Sequence, residues 1–255
     1  MSKVHKRRHN TLLLLLLLSL LVFLTYSLII TSTVNAPAIN NPSQNTNPVS
    51  KDAESNNPDK EVDTQTLAIQ ELGKLAVREA ASKDGYKRDE FLTSGSWNKW
   101  GNGCNTREKI LGRDLEEIKY GDNSCTVLSG VLHDPYTGKI IYFTRGASTS
   151  SAVQIDHIVS LSNAWQTGAQ NLDKTVRNQL ANDDLNLLAV DGPTNQQKSD
   201  RDASGWLPPN KAFRCEYVAR QIAVKIKYTL WVTSNEHNAM FNTLSTCPDQ
   251  VMPTE

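Results

Sequence analysis

Two short stretches carry the residue types that can do hydrolytic chemistry. In VQIDHIVSLSNAW, residues 153–165, an apolar run ends at an adjacent carboxylate and imidazole, Asp156 and His157. In NLLAVDGPTNQQK, residues 186–198, Asn186 opens a second apolar run, Asn195 follows nine residues later and Lys198 three after that. Phosphodiester hydrolysis asks for an activated water on one side of phosphorus and a stabilised leaving alkoxide on the other. An imidazole that titrates near neutrality suits the first task. A divalent cation on oxygen ligands, magnesium or manganese, suits the second. Asp156 and the side-chain oxygen of Asn195 would supply two ligands, with water and phosphate completing the shell. Lys198 and Arg201 are candidates to grip flanking phosphates, with Arg107 a further one. An isolated Asp-His pair at a strand end is more often a surface turn or a helix cap. The company of Asn186, Asn195 and Lys198 at this spacing turns the reading toward chemistry.

These residues need elements that bring them together. Adjacent residues on a regular strand point to opposite faces, so Asp156 and His157 are expected to address one phosphate only where the strand bends into a loop. Asn186, a catalytic candidate alongside His157, is expected to pin that loop by hydrogen bonds. Around them, residues 66–82 place Leu67, Ile69, Leu72, Leu75 and Ala76 on one helical face and predict a first helix. A Trp- and Gly-rich loop runs into a second helix that Asn105 or Thr106 would cap. The turn Asp134-Pro135-Tyr136-Thr137-Gly138 joins two β-rich runs into a hairpin. Residues 164–183 read as helix in two pieces, 192–206 as a turn then a helix, and 215–231 and 234–247 as two further helices. The fold class is α+β, helix-rich, with a small β element around Asp156.

Residues 186–198 read after IDHIV resemble the HNH, or His-Me finger, nuclease motif. The likeness extends through YKRDEF, GCNTREKIL, YTGKIIYFTRG, SSAVQIDHIVSLSNAW, NDDLNLLAVDGPTNQQKSD and WLPPNKAFRCEYVARQIAVKIKYTLWV. Together these are similar to an exported bacterial HNH endonuclease family related to the C-terminal nuclease domain of modification-dependent restriction enzymes. The resemblance implies a ββα-metal core and divalent-metal-dependent cleavage. The chain departs from the simplest pattern in a long helical insertion between the two strands and in lacking a His-type ligand near Lys198.

The rest of the chain says where such an enzyme would act. Lys3, Lys6, Arg7 and Arg8 precede an apolar run from Leu12 to Ile30, the pattern of an export signal. Residues 1–36 are read as a signal peptide cleaved near Ala36 or Ala38, or as an uncleaved anchor holding the domain outside the membrane. Residues 37–66, rich in Asn, Pro, Ser and Asp, bury too little apolar surface to offset chain entropy and read as a disordered linker. Residues 67–255 have the length of one domain.

Whole-chain charge is 27 Lys and Arg against 27 Asp and Glu. Setting aside four cations in the signal, and two lysines and five acids in the linker, leaves 21 against 22 in the domain. That balance excludes a broad basic field, so a nucleic acid, DNA and also RNA, would have to be held by local clusters. The four cysteines, Cys104, Cys125, Cys215 and Cys247, all fall in the exported domain, where disulfides persist. Of three possible connectivities, Cys104 with Cys125 and Cys215 with Cys247 is expected, because each pair brackets a self-contained segment. The expected function is a secreted, metal-dependent endonuclease. The rival from another class is a catalytically silent extracellular binding module on the same fold.

Overall fold

The structure is a computed structural model that describes residues 66–92, 96–101 and 103–254; the signal and almost all of the linker lie outside the described residues. The elements that position Asp156 and His157 centre on a two-stranded antiparallel ribbon, β6 (Val153–His157) and β7 (Leu187–Asp191). Its register runs unbroken from Val153 opposite Asp191 to His157 opposite Leu187. Both faces are covered. Leu188 and Val190 join a core with Ile158, Tyr136 and residues of the helices α6 (Arg214–Lys227) and α7 (Ser234–Leu244). Val153, Ile155, Leu187 and Ala189 pack with Ile110 and Leu111 of α2 (Thr106–Asp114) and with Leu115, Val127, Leu132 and Phe143. Burial on both sides explains why β7 is apolar at four successive positions, where a half-exposed strand would alternate.

Those last four residues belong to a three-stranded antiparallel sheet of β3 (Leu115–Tyr120), β4 (Val127–His133) and β5 (Ile140–Thr144). The 134–138 turn closes the β4–β5 hairpin, its Asp134 carboxylate accepting from the Thr137 backbone N–H at 2.8 Å. Asn105 caps α2, accepting from Glu108 N–H at 3.2 Å. A third core, of Phe91, Trp165, Leu180 and their neighbours, joins α3 (Leu161–Gln166) and α4 (Lys174–Asn182), the two helices between β6 and β7. The disulfides are Cys104–Cys125 and Cys215–Cys247.

Three expectations are corrected. The first helix, α1, covers only Ala68–Leu72. Beyond Gly73 the chain runs on without helix, and Val77 forms a bridge with Val232. Within the Trp- and Gly-rich loop a short hairpin forms, β1 (Lys99–Trp100) with β2 (Cys104–Asn105). The segment after β7 begins with its helix and then turns: α5 covers Gly192–Lys198 directly after the strand. Asp191 caps it, accepting from Thr194 N–H at 2.8 Å, and Pro193 stands in the first turn, where a missing N–H costs nothing. Gly192 is required there, since a Cβ would sit 2.0 Å from the Ser151 carbonyl oxygen. That close approach seats α5 against the 3₁₀ turn, Ser150–Ala152, that leads into β6.

Candidate active site

The strand does not bend at Asp156-His157, contrary to the expectation, and the two side chains leave opposite faces of the ribbon. They nevertheless line one cavity of about 430 Å³, together with Gln154, Ile155, Ser160, Ser162, Asn195, Asp200, Lys83, Tyr86 and Arg88. Four consecutive β6 residues in one wall mean that the cavity runs along the strand edge that β7 leaves unpaired. An edge gives access to both faces, which does the work assigned to a bend.

His157 is buried and fixed. Its Nε2 lies 2.9 Å from the Ala181 carbonyl oxygen, and its ring stacks on Trp97 with centroids 5.4 Å apart and planes 19° from parallel. A carbonyl only accepts, so Nε2 carries the hydrogen and Nδ1 is left with its lone pair. Burial, and then the positive charge of Arg88, pull the imidazole pKa down to about 3. The ring is therefore neutral at physiological pH. Trp97 is held in turn through its neighbour: Asn98 bonds Asn178 and Asn182 of α4, at 2.8 and 3.2 Å.

Asp156, 5% exposed, accepts from the Tyr136 hydroxyl at Oδ2 and from the Lys198 ammonium, 3.0 Å away, at Oδ1. Burial raises its carboxyl pKa, and the Lys198 charge opposes that rise. Lys198 is corrected as a phosphate ligand. Its side chain is fully buried, and its ammonium is spent on Asp156 and on the His157 carbonyl at 2.8 Å.

Asn186, fully buried, is placed as a brace. Its Oδ1 accepts from Val159 N–H at 2.8 Å, its Nδ2 donates to the Val159 and Leu180 carbonyls at 3.3 Å, and its own carbonyl accepts from Ile158 N–H at 2.8 Å. All its hydrogen-bonding groups turn inward, so it does not face the cavity as a catalytic group. It fixes the residues that follow His157. Arg107 donates to the Ser150 and Val153 carbonyls, at 3.3 and 3.0 Å, and so braces the start of β6. Arg201 is exposed and bonds the Gln197 carbonyl of its own turn; it lines a smaller neighbouring cavity of about 270 Å³. Neither stands in the wall of the cavity that Asp156 and His157 line.

Asn195, on α5, donates through Nδ2 to Gln154 Oε1 at 3.0 Å. Asn195 and Asp156 line the same cavity, and the Asn195 Oδ1 is left as an acceptor. Among the described residues no three His, Cys, Asp or Glu side chains form a metal-holding group. The side chains of Asp156, Asn195 and Gln154 that line the cavity offer only hard oxygens as donors, the Gln154 oxygen already accepting from Asn195. The Asp156 carboxylate accepts from Tyr136, from Lys198 and from the His157 backbone N–H. This set fits a small divalent cation that keeps several waters, and fits no soft metal.

The sequence reading missed Tyr136, Trp97, the Ala181 carbonyl and the two cavity cations, Lys83 and Arg88. Tyr136 was hidden inside a good turn signal. Arg88 lies within the quoted YKRDEF and Trp97 within the Trp-rich loop. A backbone carbonyl has no sequence signal at all.

A family model described as GmrSD restriction endonucleases, C-terminal domain, matches residues 105–243. A protein of the fungus Arthroderma benhamiae described as an uncharacterized secreted protein is 39% identical over 178 residues, 69% of this chain and 82% of its own length. That relative is fungal, where the sequence resemblance pointed to exported bacterial nucleases. No solved structure gives a significant match. The secreted relative and the two disulfides agree with a secreted protein. With the matched stretch spanning the ribbon, α5 and every site residue from Arg107 to Arg201, the chain belongs to the GmrSD restriction endonuclease C-terminal domain family.

Proposed function

We propose that the protein is a secreted, divalent-metal-dependent HNH endonuclease that hydrolyses phosphodiester bonds of DNA, with RNA as a further substrate. In this reading β6, β7 and α5 are the ββα-metal core. The observation that carries it is an oriented, neutral imidazole in the same open cavity as an oxygen-only donor pair. His157 Nδ1 takes a proton from the attacking water while the water oxygen bonds to phosphorus. The P–O bond to the leaving sugar oxygen breaks, and that oxygen takes a proton from solvent water, giving a phosphate monoester and an alcohol.

Trp97 and the Ala181 carbonyl hold the ring so that little reorientation is needed. The low pKa keeps Nδ1 unprotonated before substrate arrives, at some loss of basicity. An anionic phosphate in the cavity offsets the Arg88 charge and raises the imidazole pKa from that low value, while burial continues to hold it down. Asp156 and Asn195 would hold the cation, magnesium or manganese. When bound it supplies positive charge to the leaving oxygen.

Tyr136 and Lys198 orient the Asp156 carboxylate, and Asn186 fixes the chain beyond His157. Incubation of the purified secreted protein with supercoiled plasmid, with magnesium or manganese and with chelator, tests the reading. Nicking or linearisation that needs metal is expected. Full cleavage under exhaustive chelation would remove the metal, and DNA binding without cleavage would select the silent binding module instead.

A further inference from the structure

We infer that Arg88 is the phosphate-gripping residue of this cavity, its guanidinium taking the non-bridging oxygens of the phosphodiester presented to His157. The inference rests on the nuclease reading above and names a contact that the sequence motif did not contain. Arg88 also precedes residues 105–243, the stretch matched by the family model.

Pairing off the charges in the cavity wall isolates this residue. Asp156 is neutralised by Lys198, and Asp200 by Lys83 at 2.7 Å. Arg88 is the remaining lining charge, and among the described residues its guanidinium makes no hydrogen bond or ion pair. A cavity that carries two carboxylates thus presents one uncompensated positive charge. It lines the same cavity as His157, the proposed base.

The backbone under Arg88 is held firmly while the side chain is exposed. Residues Arg88–Glu90 form a 3₁₀ turn. Arg177 of α4 donates to the Glu90 carbonyl at 3.0 Å and pairs with the Glu90 carboxylate at 2.9 Å; Asn178 donates to the Phe91 carbonyl at 3.0 Å. Phe91 itself is fully buried. The same helix supplies the Ala181 carbonyl that orients His157, so one rigid element sets both the base and the cation. A fixed pedestal under an unpaired exposed guanidinium suits a planar fork that must meet two phosphate oxygens.

The test uses the full secreted protein as wild type, Arg88→Ala and Arg88→Lys. In chelator, binding of a fluorescent oligodeoxynucleotide should weaken for Arg88→Ala, and its log–log salt slope should fall by about 0.7 for a single strand. With metal, Arg88→Ala should lower kcat/KM on plasmid by roughly 10² to 10³-fold. Its melting temperature should stay unchanged, and millimolar guanidinium, but not ammonium, should restore part of the rate. Arg88→Lys should recover part of the binding and less of the rate. Unchanged binding and salt slope would overturn the inference, as would cleavage by Arg88→Ala within twofold of an active wild type. If wild type cleaves nothing, the nuclease reading falls, and the binding comparison still decides for or against Arg88.

Discussion

Replacing Lys198 by Met separates a buried brace from a phosphate ligand. The ammonium is fully buried and makes two charge-assisted contacts, to Asp156 Oδ1 at 3.0 Å and to the His157 carbonyl at 2.8 Å. Methionine fills similar space but supplies neither. Hydrogen bonds to charged groups contribute roughly 1.5–3 kcal/mol each. The variant also leaves the Asp156 carboxylate, 5% exposed, with Tyr136 and no counter-ion. Removing one partner of a buried ion pair typically costs about 3–5 kcal/mol, a range that already contains the lost bonds. Against a total stability of about 5–15 kcal/mol this is a large loss. Urea denaturation of the secreted protein in chelator should show the unfolding free energy falling by that amount. Adding Asp156→Asn should recover at least about 1 kcal/mol relative to the sum of the single changes, because the buried charge is then gone. A phosphate ligand would behave oppositely, with stability kept and the salt slope of DNA binding reduced by about 0.9 on duplex DNA. That outcome would refute the brace and restore the reading from sequence.

Other consequences can be measured on the same protein. His157→Ala should cut the cleavage rate by roughly 10² to 10⁴-fold at every metal concentration, whereas Asn195→Ala should be partly rescued by excess magnesium; rescue of His157→Ala by metal would deny it the role of base. The folded pKa of His157, about 3, lies below its ordinary 6.5, so below pH 6.5 the unfolded chain takes up the proton first. The stability this residue contributes is therefore complete above about pH 6.5 and is lost as pH falls toward 3, by roughly 4 kcal/mol over the window. Urea midpoints in chelator should drop accordingly from pH 7 to pH 4, and the drop should shrink in His157→Gln; equal slopes for both would exclude it. Reduction should destabilise the domain, since closing loops with sequence separations of 21 and 32 contributes roughly 3–4 kcal/mol each in the chain-entropy model. A melting temperature unmoved by reductant would contradict this.

How far the fold could be read depended on whether its determinants were local. The β4–β5 hairpin was legible because Asp134 makes its own turn, and α2 because Asn105 caps it three residues ahead of Glu108. Strand β3 was missed: its pairing with β4 shifts register between Glu116 and Lys119, and Glu117 takes φ 50°, so no clean alternation marks LEEIKY. The expected helix over 66–82 had the right spacing. Yet Val77 lies against Val232 and the Ala81 N–H donates to the Gln166 carbonyl, so distant backbone takes groups a continuing helix would have used.

The site divides in the same way. Asp156, His157 and Asn195, singled out by residue type and spacing, do line one cavity. Their supports come from 20, 24 and 60 positions away, as a tyrosine hydroxyl, a main-chain carbonyl and an indole, groups that many sequences supply without purpose. Lys198 sits between the two cases. It falls three residues after Asn195 and four after Thr194, so on a helix all three share one face. Once Asn195 must reach Gln154 on β6, that face is turned toward the strand, and a long cation on it has Asp156 within reach. The spacing that suggested a phosphate ligand is thus the spacing of an internal counter-ion. The choice depended on which side of α5 meets the ribbon, and the close approach of Gly192 to the Ser151 carbonyl seats the helix against the turn that leads into β6.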